Sequence, residues 1–217
     1  MTLWRPTRRE LITTAPLFLG ASVLHNPLFA ASREPLFRFF VIGDWGRNGR
    51  QNQREVGTRM GIVADQLKPS FIVSTGDNFY DLGVDNTTDL RWETSFEDIY
   101  TSDGLRSAPW YIALGNHDYG GRVQAQIDRT GRDPHNRWKL PQRWYSVPGE
   151  QISNRYPDVD LFFIDTVAWR GKESFPLKYL GTKISHKERQ AQAAWLSRAL
   201  RKSTARYKLV FGHHGIF

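Results

Sequence analysis

Two rhythms of apolar and polar positions run along the chain. Leu36 to Ile42, Phe71 to Thr75, Pro109 to Leu114, Trp144 to Val147, Val159 to Asp165 and Tyr207 to Phe211 are short runs rich in aromatic and aliphatic residues. Each is bounded by Gly, Pro or polar residues, so each reads as a strand. Between them, Asn52 to Leu67 repeats Val56, Met60, Val63 and Leu67 at steps of 4, 3 and 4, which predicts a helix with those residues on its buried stripe. Leu90 to Tyr100 predicts a second helix with Trp92, Phe96 and Ile99 on one side. Ser185 to Leu200 predicts another, with Ala191, Ala194, Trp195, Ala199 and Leu200 inward. Strand, helix and strand within about 35 residues form a βαβ unit, so the class is α/β. The Arg-, Gly- and Asn-rich span Gly120 to Arg143 reads as an insertion over the site rather than core, with a short helix at Val123 to Arg129. Val167 to Lys183 has no period and reads as loop.

Composition narrows the chemistry. With 40% hydrophobic and 13% aromatic residues the chain can build a core, and with no Cys it offers neither disulfides nor thiolate ligands. Any metal must be held by carboxylate, phenolate, amide and imidazole, a hard set suited to iron, zinc or manganese. The net charge is +8; residues 1–31 hold three Arg and one Glu, a net +2, so the remainder carries +6. Its basic residues are scattered, which argues against nucleic acid as a partner and for a solvated surface with some attraction for anions.

Thr7-Arg8-Arg9-Glu10-Leu11-Ile12, the interrupted apolar stretch Leu11 to Leu24 and the small residues Ala30-Ala31-Ser32 read as a twin-arginine-type signal segment over residues 1–31. The stretch is too short and broken for a stable membrane span, so the expectation is a periplasmic or secreted protein whose catalytic domain occupies 32–217.

Four strand ends carry candidate chemistry, each opened by Gly: Gly43-Asp44-Trp45-Gly46, Gly76-Asp77-Asn78-Phe79-Tyr80, Gly115-Asn116-His117-Asp118 and Gly212-His213-His214. The carboxyl ends of strands in α/β sheets are where ligands bind. Asp77 can offer its oxygens to two cations, and a metal-centred hydrolase is the reading these clusters favour. His25, His135 and His186 read as bystanders.

In this order the four clusters resemble the purple acid phosphatases, the tartrate-resistant branch of the calcineurin-like metallophosphoesterases, over roughly residues 36–217. The resemblance implies a four-layer αββα sandwich and a dinuclear centre of Fe(III) with Fe(II), Zn(II) or Mn(II). It implies Asp44, Asp77 and Tyr80 on the ferric ion, and Asp77, Asn116 and His213 on the divalent one. Donor hardness agrees, since phenolate and carboxylate suit a trivalent ion and amide and imidazole a divalent one. Two metals about 3.5 Å apart share an activated hydroxide and clamp the phosphoryl oxygens, with the pKa of bound water lowered to roughly 7. His117 is implied as the catalytic acid or transition-state stabiliser, and Asn116, His117 and His214 as substrate contacts; Asp118 either orients His117 or holds a turn. The implied activity is hydrolysis of phosphate monoesters, small molecules or phosphoproteins, at acidic pH. Alternatives are a phosphodiesterase or nucleotidase of the same superfamily and an inactive metal-binding fragment. The family's later Gly-His-x-His motif does not occur, so the C-terminal part of the domain is expected to be missing and the strand Tyr207 to Phe211 to stand as an exposed edge.

Overall fold

The computed structural model describes residues 37–153, 158–170 and 185–215; the expected signal segment and most of the expected loop 167–183 lie outside them. Four parallel strands form the first sheet in sequence order: β1 (Phe39–Ile42), β2 (Phe71–Ser74), β3 (Trp110–Ile112) and β4 (Trp138–Lys139). Helix α1 (Gln53–Leu67) joins β1 to β2, and α2 (Asp103–Ser107) precedes β3. Helix α3 (Val123–Asp128) then leads to β4. The second sheet holds β5 (Tyr145–Val147), β6 (Val159–Phe163) and β7 (Tyr207–Phe211), with β5 antiparallel and β7 parallel to β6. Helices α4 (Gly149–Ile152), α5 (Val167–Arg170) and α6 (His186–Lys202) accompany it.

Alternation along the strands sends Phe39, Phe71 and Tyr111 to the face between the sheets. There Phe39 meets Phe211 at 6.3 Å and Tyr111 meets Phe163 at 6.0 Å. The Tyr145 hydroxyl accepts from Ile112 N at 2.9 Å and bonds the Lys139 carbonyl at 2.9 Å, tying the sheets where both are buried. On the other face of the first sheet Trp110 joins Trp45, Phe96 and Tyr100 in one aromatic cluster. The expected order of layers, helix, sheet, sheet, helix, is present.

Three expectations are corrected. On α1 the buried residues are Gln53, Gly57, Gly61 and Ala64, while Val56, Val63 and Leu67 are exposed. Small residues face inward because neighbouring chain lies against the helix: a Cβ on Gly57 would fall 2.7 Å from Ile99 Cγ2. The apolar stripe instead lines an open groove of about 640 Å³ with Phe39 to Ile42 of β1.

The span Gly120 to Arg143 contributes to the core rather than only covering it. It supplies β4, and Trp138 is fully buried against Trp92, Phe79 and Phe96. Its polar residues enter the interior in pairs, Arg137 on Glu97 at 2.9 Å and Gln126 on Asp118 at 2.9 Å, which composition alone does not reveal.

On α6, Ala191 and Ala194 are exposed and Gln192 is the buried residue, its side chain exchanging two hydrogen bonds with the Asp165 backbone. The helix starts where Ser185 and Glu188 form a capping box. The helix expected over Leu90 to Tyr100 is present over residues 91–97, its stretch Glu93–Glu97 wound in the wider π form, with Trp92, Phe96 and Ile99 buried as expected. Tyr207 and Val210 of β7 are exposed at the edge of the second sheet. Among the described residues no helix is long and apolar enough to cross a membrane.

Candidate functional site

The ends of β1, β2 and β3 are held in register beyond the strands. Thr75 N donates to Ile42 O at 2.9 Å and Asp44 N to Gly76 O at 3.0 Å. Asp44 and Asp77 both adopt the left-handed region, with φ of 61° and 53°. Aspartate tolerates this conformation better than most residues because its short polar side chain bonds locally, and here it turns both carboxylates off the strand axis into one space. Gly46 makes the approach possible: a Cβ there would lie 1.8 Å from Asn78 O, and Tyr80 N donates to Gly46 O at 2.7 Å. Trp45, its indole N–H on Ser74 Oγ at 2.8 Å, anchors the Asp44 loop in the aromatic cluster.

The Tyr80 hydroxyl lies 2.8 Å from Asp44 Oδ1 and 2.7 Å from Asp77 Oδ2, so one proton serves three oxygens. Burial, then the hydrogen bonds and negative charge of Asp77 and Asp44, hold the phenol well above its ordinary range. A cation among these oxygens reverses that balance by favouring the phenolate. Asp44, Asp77 and His213 present ligand atoms all within 4.8 Å of one another. His213 Nε2 is 3.5 Å from Asp77 Oδ1 and 3.2 Å from Asn116 Oδ1, and His214 Nε2 is 3.0 Å from that same amide oxygen. The predicted residues Asp44, Asp77, Tyr80, Asn116, His213 and His214 thus meet at one place.

His117 joins them. Its Nδ1 lies 2.6 Å from the Asp81 carbonyl, an acceptor only, so Nδ1 carries a proton. Nε2 is 3.9 Å from Asp77 Oδ2, and the ring leans on Tyr80 with centroids 4.3 Å apart. Asp118 does not orient this imidazole. Its fully buried carboxylate accepts from Asn78 N, Asn78 Nδ2, Gly115 N and Gln126 Nε2 at 2.8 to 3.2 Å, which resolves its role as the turn-holding one. Burial pushes it up to about 7, with the Asp77 charge adding to the rise and the N–H donors opposing it.

Two contributors escaped sequence reasoning. Thr166 Oγ1 accepts from His214 N at 2.8 Å and fixes the histidine pair; nothing but its position after a strand marks it. Arg47 stacks on Tyr80 with Cζ 3.6 Å from the ring centroid, and its place beside the Asp44 cluster was the available signal. His135 and His186 are exposed and apart from the site, as expected.

The model of the calcineurin-like phosphoesterase family matches residues 37–217. Purple acid phosphatase 4 of Arabidopsis thaliana is 38% identical over 205 residues, 90% of this chain and 56% of its own length. Purple acid phosphatase 3 of the same plant is 42% identical over 82% of this chain and 48% of its own. Tartrate-resistant acid phosphatase type 5 of Homo sapiens is 33% identical over 94% and 63%. The chain therefore spans about half to two thirds of the length of these curated relatives. Among solved structures, one titled "GAP50 the anchor in the inner membrane complex of Plasmodium" superposes with a TM-score of 0.64 at 26% identity, covering 81% of this chain and 54% of that one.

Proposed function

The chain belongs to the calcineurin-like phosphoesterase family, and we propose that it acts as a metal-dependent acid phosphatase on phosphate monoesters, small molecules or phosphoproteins. The observation that carries this reading is the single phenol proton shared by Tyr80, Asp44 and Asp77, an oxygen cluster with more negative charge than protons to balance it. The donor set suits Asp44, Asp77 and Tyr80 to a ferric ion, and Asp77, Asn116 and His213 to Fe(II), Zn(II) or Mn(II). Bound there, the metals supply Lewis-acid charge that activates water and neutralises the phosphoryl oxygens.

The chain's own residues do the rest. Asp77, fixed by His117 N at 2.9 Å, sits between the two donor groups. His117, its Nδ1 proton held by Asp81 O, has Nε2 to protonate the leaving alkoxide or donate to the phosphoryl group. Asn116 and His214 line the opposite side as substrate contacts, with His214 steadied by Thr166.

Residues 1–31 support export by the twin-arginine route to the periplasm or beyond, leaving a domain that starts at Ser32. N-terminal sequencing of exported protein tests that boundary. The enzymatic reading is tested by metal analysis, a visible spectrum and phosphate release from a monoester. Two metals per chain, a phenolate-to-iron band and turnover are expected; a chain that takes up no metal overturns it.

A further inference from the structure

We propose that Arg47 is a specificity-determining residue of this centre: its guanidinium takes a second anionic group of the substrate, so that the site favours phosphorylated compounds with a charged leaving group, the anhydride pyrophosphate among them. The inference rests on the phosphatase reading and concerns which esters that site selects.

The guanidinium carbon lies 3.6 Å from the Tyr80 ring centroid, well inside the range of about 6 Å at which a cation interacts with an aromatic face. Its backbone is fixed. Arg47 N donates to Gln53 Oε1 at 2.9 Å, the same oxygen accepts from Gly49 N at 2.8 Å, and the buried Gln53 amide donates to Ser95 O at 2.7 Å. The side chain therefore leaves a rigid loop three residues after Asp44 and comes to rest on the phenol shared by Asp44 and Asp77.

Its hydrogen-bonding capacity is unspent. Arg91, Arg129, Arg137 and Arg143 each pair with a carboxylate. Among the described residues Arg47 forms neither an ion pair nor a side-chain hydrogen bond, although two carboxylates bond the phenol beneath it. Five N–H donors in a planar fork match phosphate or carboxylate oxygens two at a time, a match no neutral leaving group offers. Stacking holds the fork before the ligand arrives, which lowers the ordering cost of binding. Cations held by Asp44, Asp77 and Tyr80 would seat the phosphoryl group, and the fork on Tyr80 is the nearest charge the proposal offers to the next anionic group of the same molecule.

The test is calorimetric titration of the chain loaded with ferric and zinc ions, using orthophosphate and pyrophosphate as probes. Wild type is expected to bind pyrophosphate about tenfold more tightly than orthophosphate, the size of one charge-assisted pair. Arg47→Ala is expected to abolish that preference while changing orthophosphate affinity less than about threefold, and Arg47→Lys to keep part of it. Should Arg47→Ala lose its fold or metal, Arg47→Gln, which keeps a planar end without charge, carries the same comparison. An unchanged preference in the neutral variants, or an equal loss for both anions, overturns the inference. A wild type that binds orthophosphate without preferring pyrophosphate overturns it alone; one that binds neither metal nor phosphate overturns the phosphatase reading with it.

Discussion

Asn78 and Asp118, forty residues apart, are joined by three contacts: the Asn78 backbone N–H reaches both carboxylate oxygens at 3.0 and 3.2 Å, and its amide nitrogen donates to Oδ2 at 3.0 Å. Gly115 N completes the set at 2.8 Å. One buried carboxylate thus holds the turn that carries Asp77 against the turn that carries Asn116 and His117, and its loss is felt in both.

Asp118→Asn presents an amide N–H₂ to donors that already point inward. The expected cost is about 2 to 4 kcal/mol of unfolding free energy, with weaker metal uptake at an otherwise intact fold. Urea unfolding with metal analysis of the folded fraction checks both.

The pH dependence follows from the same residue. In the metal-free protein its folded-state value of about 7 stands above the ordinary 3.8, so the folded state holds the proton through that window. The stability linked to this proton is complete below about pH 4 and is lost as pH rises through about 7. Unfolding midpoints measured from pH 4 to 8 are expected to fall for wild type, and Asp118→Asn to lack that component.

Asp77→Asn removes the charge while keeping a side chain that tolerates φ of 53°. It is expected to fold and to bind no metal. Wild type should gain about 2.7 kcal/mol from metal at a hundredfold excess over its dissociation constant and lose that gain on chelation. Tyr80→Phe should retain metal without a visible band, as absorption spectra would record.

Gly46→Ala drives a methyl to within 1.8 Å of a backbone carbonyl oxygen that cannot yield alone. The expected loss is about 3 kcal/mol or more, together with the metal site. Thermal unfolding of the variant with and without metal measures it.

The phase of α1 is open to test by contrast. Val56→Thr and Val63→Thr should change stability by no more than about 0.5 kcal/mol, since both side chains are exposed. Gly57→Ala should cost about 1 to 3 kcal/mol although alanine is the better helix former, because Ile99 occupies the space.

The strands and the residues at their ends were legible because a buried parallel strand must be apolar throughout, so a Gly-led polar cluster behind it stands out. Asp44, Asp77, Tyr80, Asn116, His117, His213 and His214 were all found that way. The inward face of α1 was not, because hydropathy marks Val56 and Val63 while close contact selects Gly57 and Gly61. Nor was the interior place of Arg137, Gln126 and Asp118, whose burial depends on partners 8 to 40 residues away. The left-handed turn at both aspartates has no signature in an aspartate codeword and emerges only from the backbone.

Asp44, Asp77, Tyr80 and Asn116 hang from the first sheet, whereas His213 follows β7, the exposed outer strand of the second. The divalent ion proposed for Asp77, Asn116 and His213 would therefore be a bolt between two plates. Releasing it would mean parting His213 from the donors of the first sheet, so hydrogen exchange in β7 is where its loading is expected to be seen first.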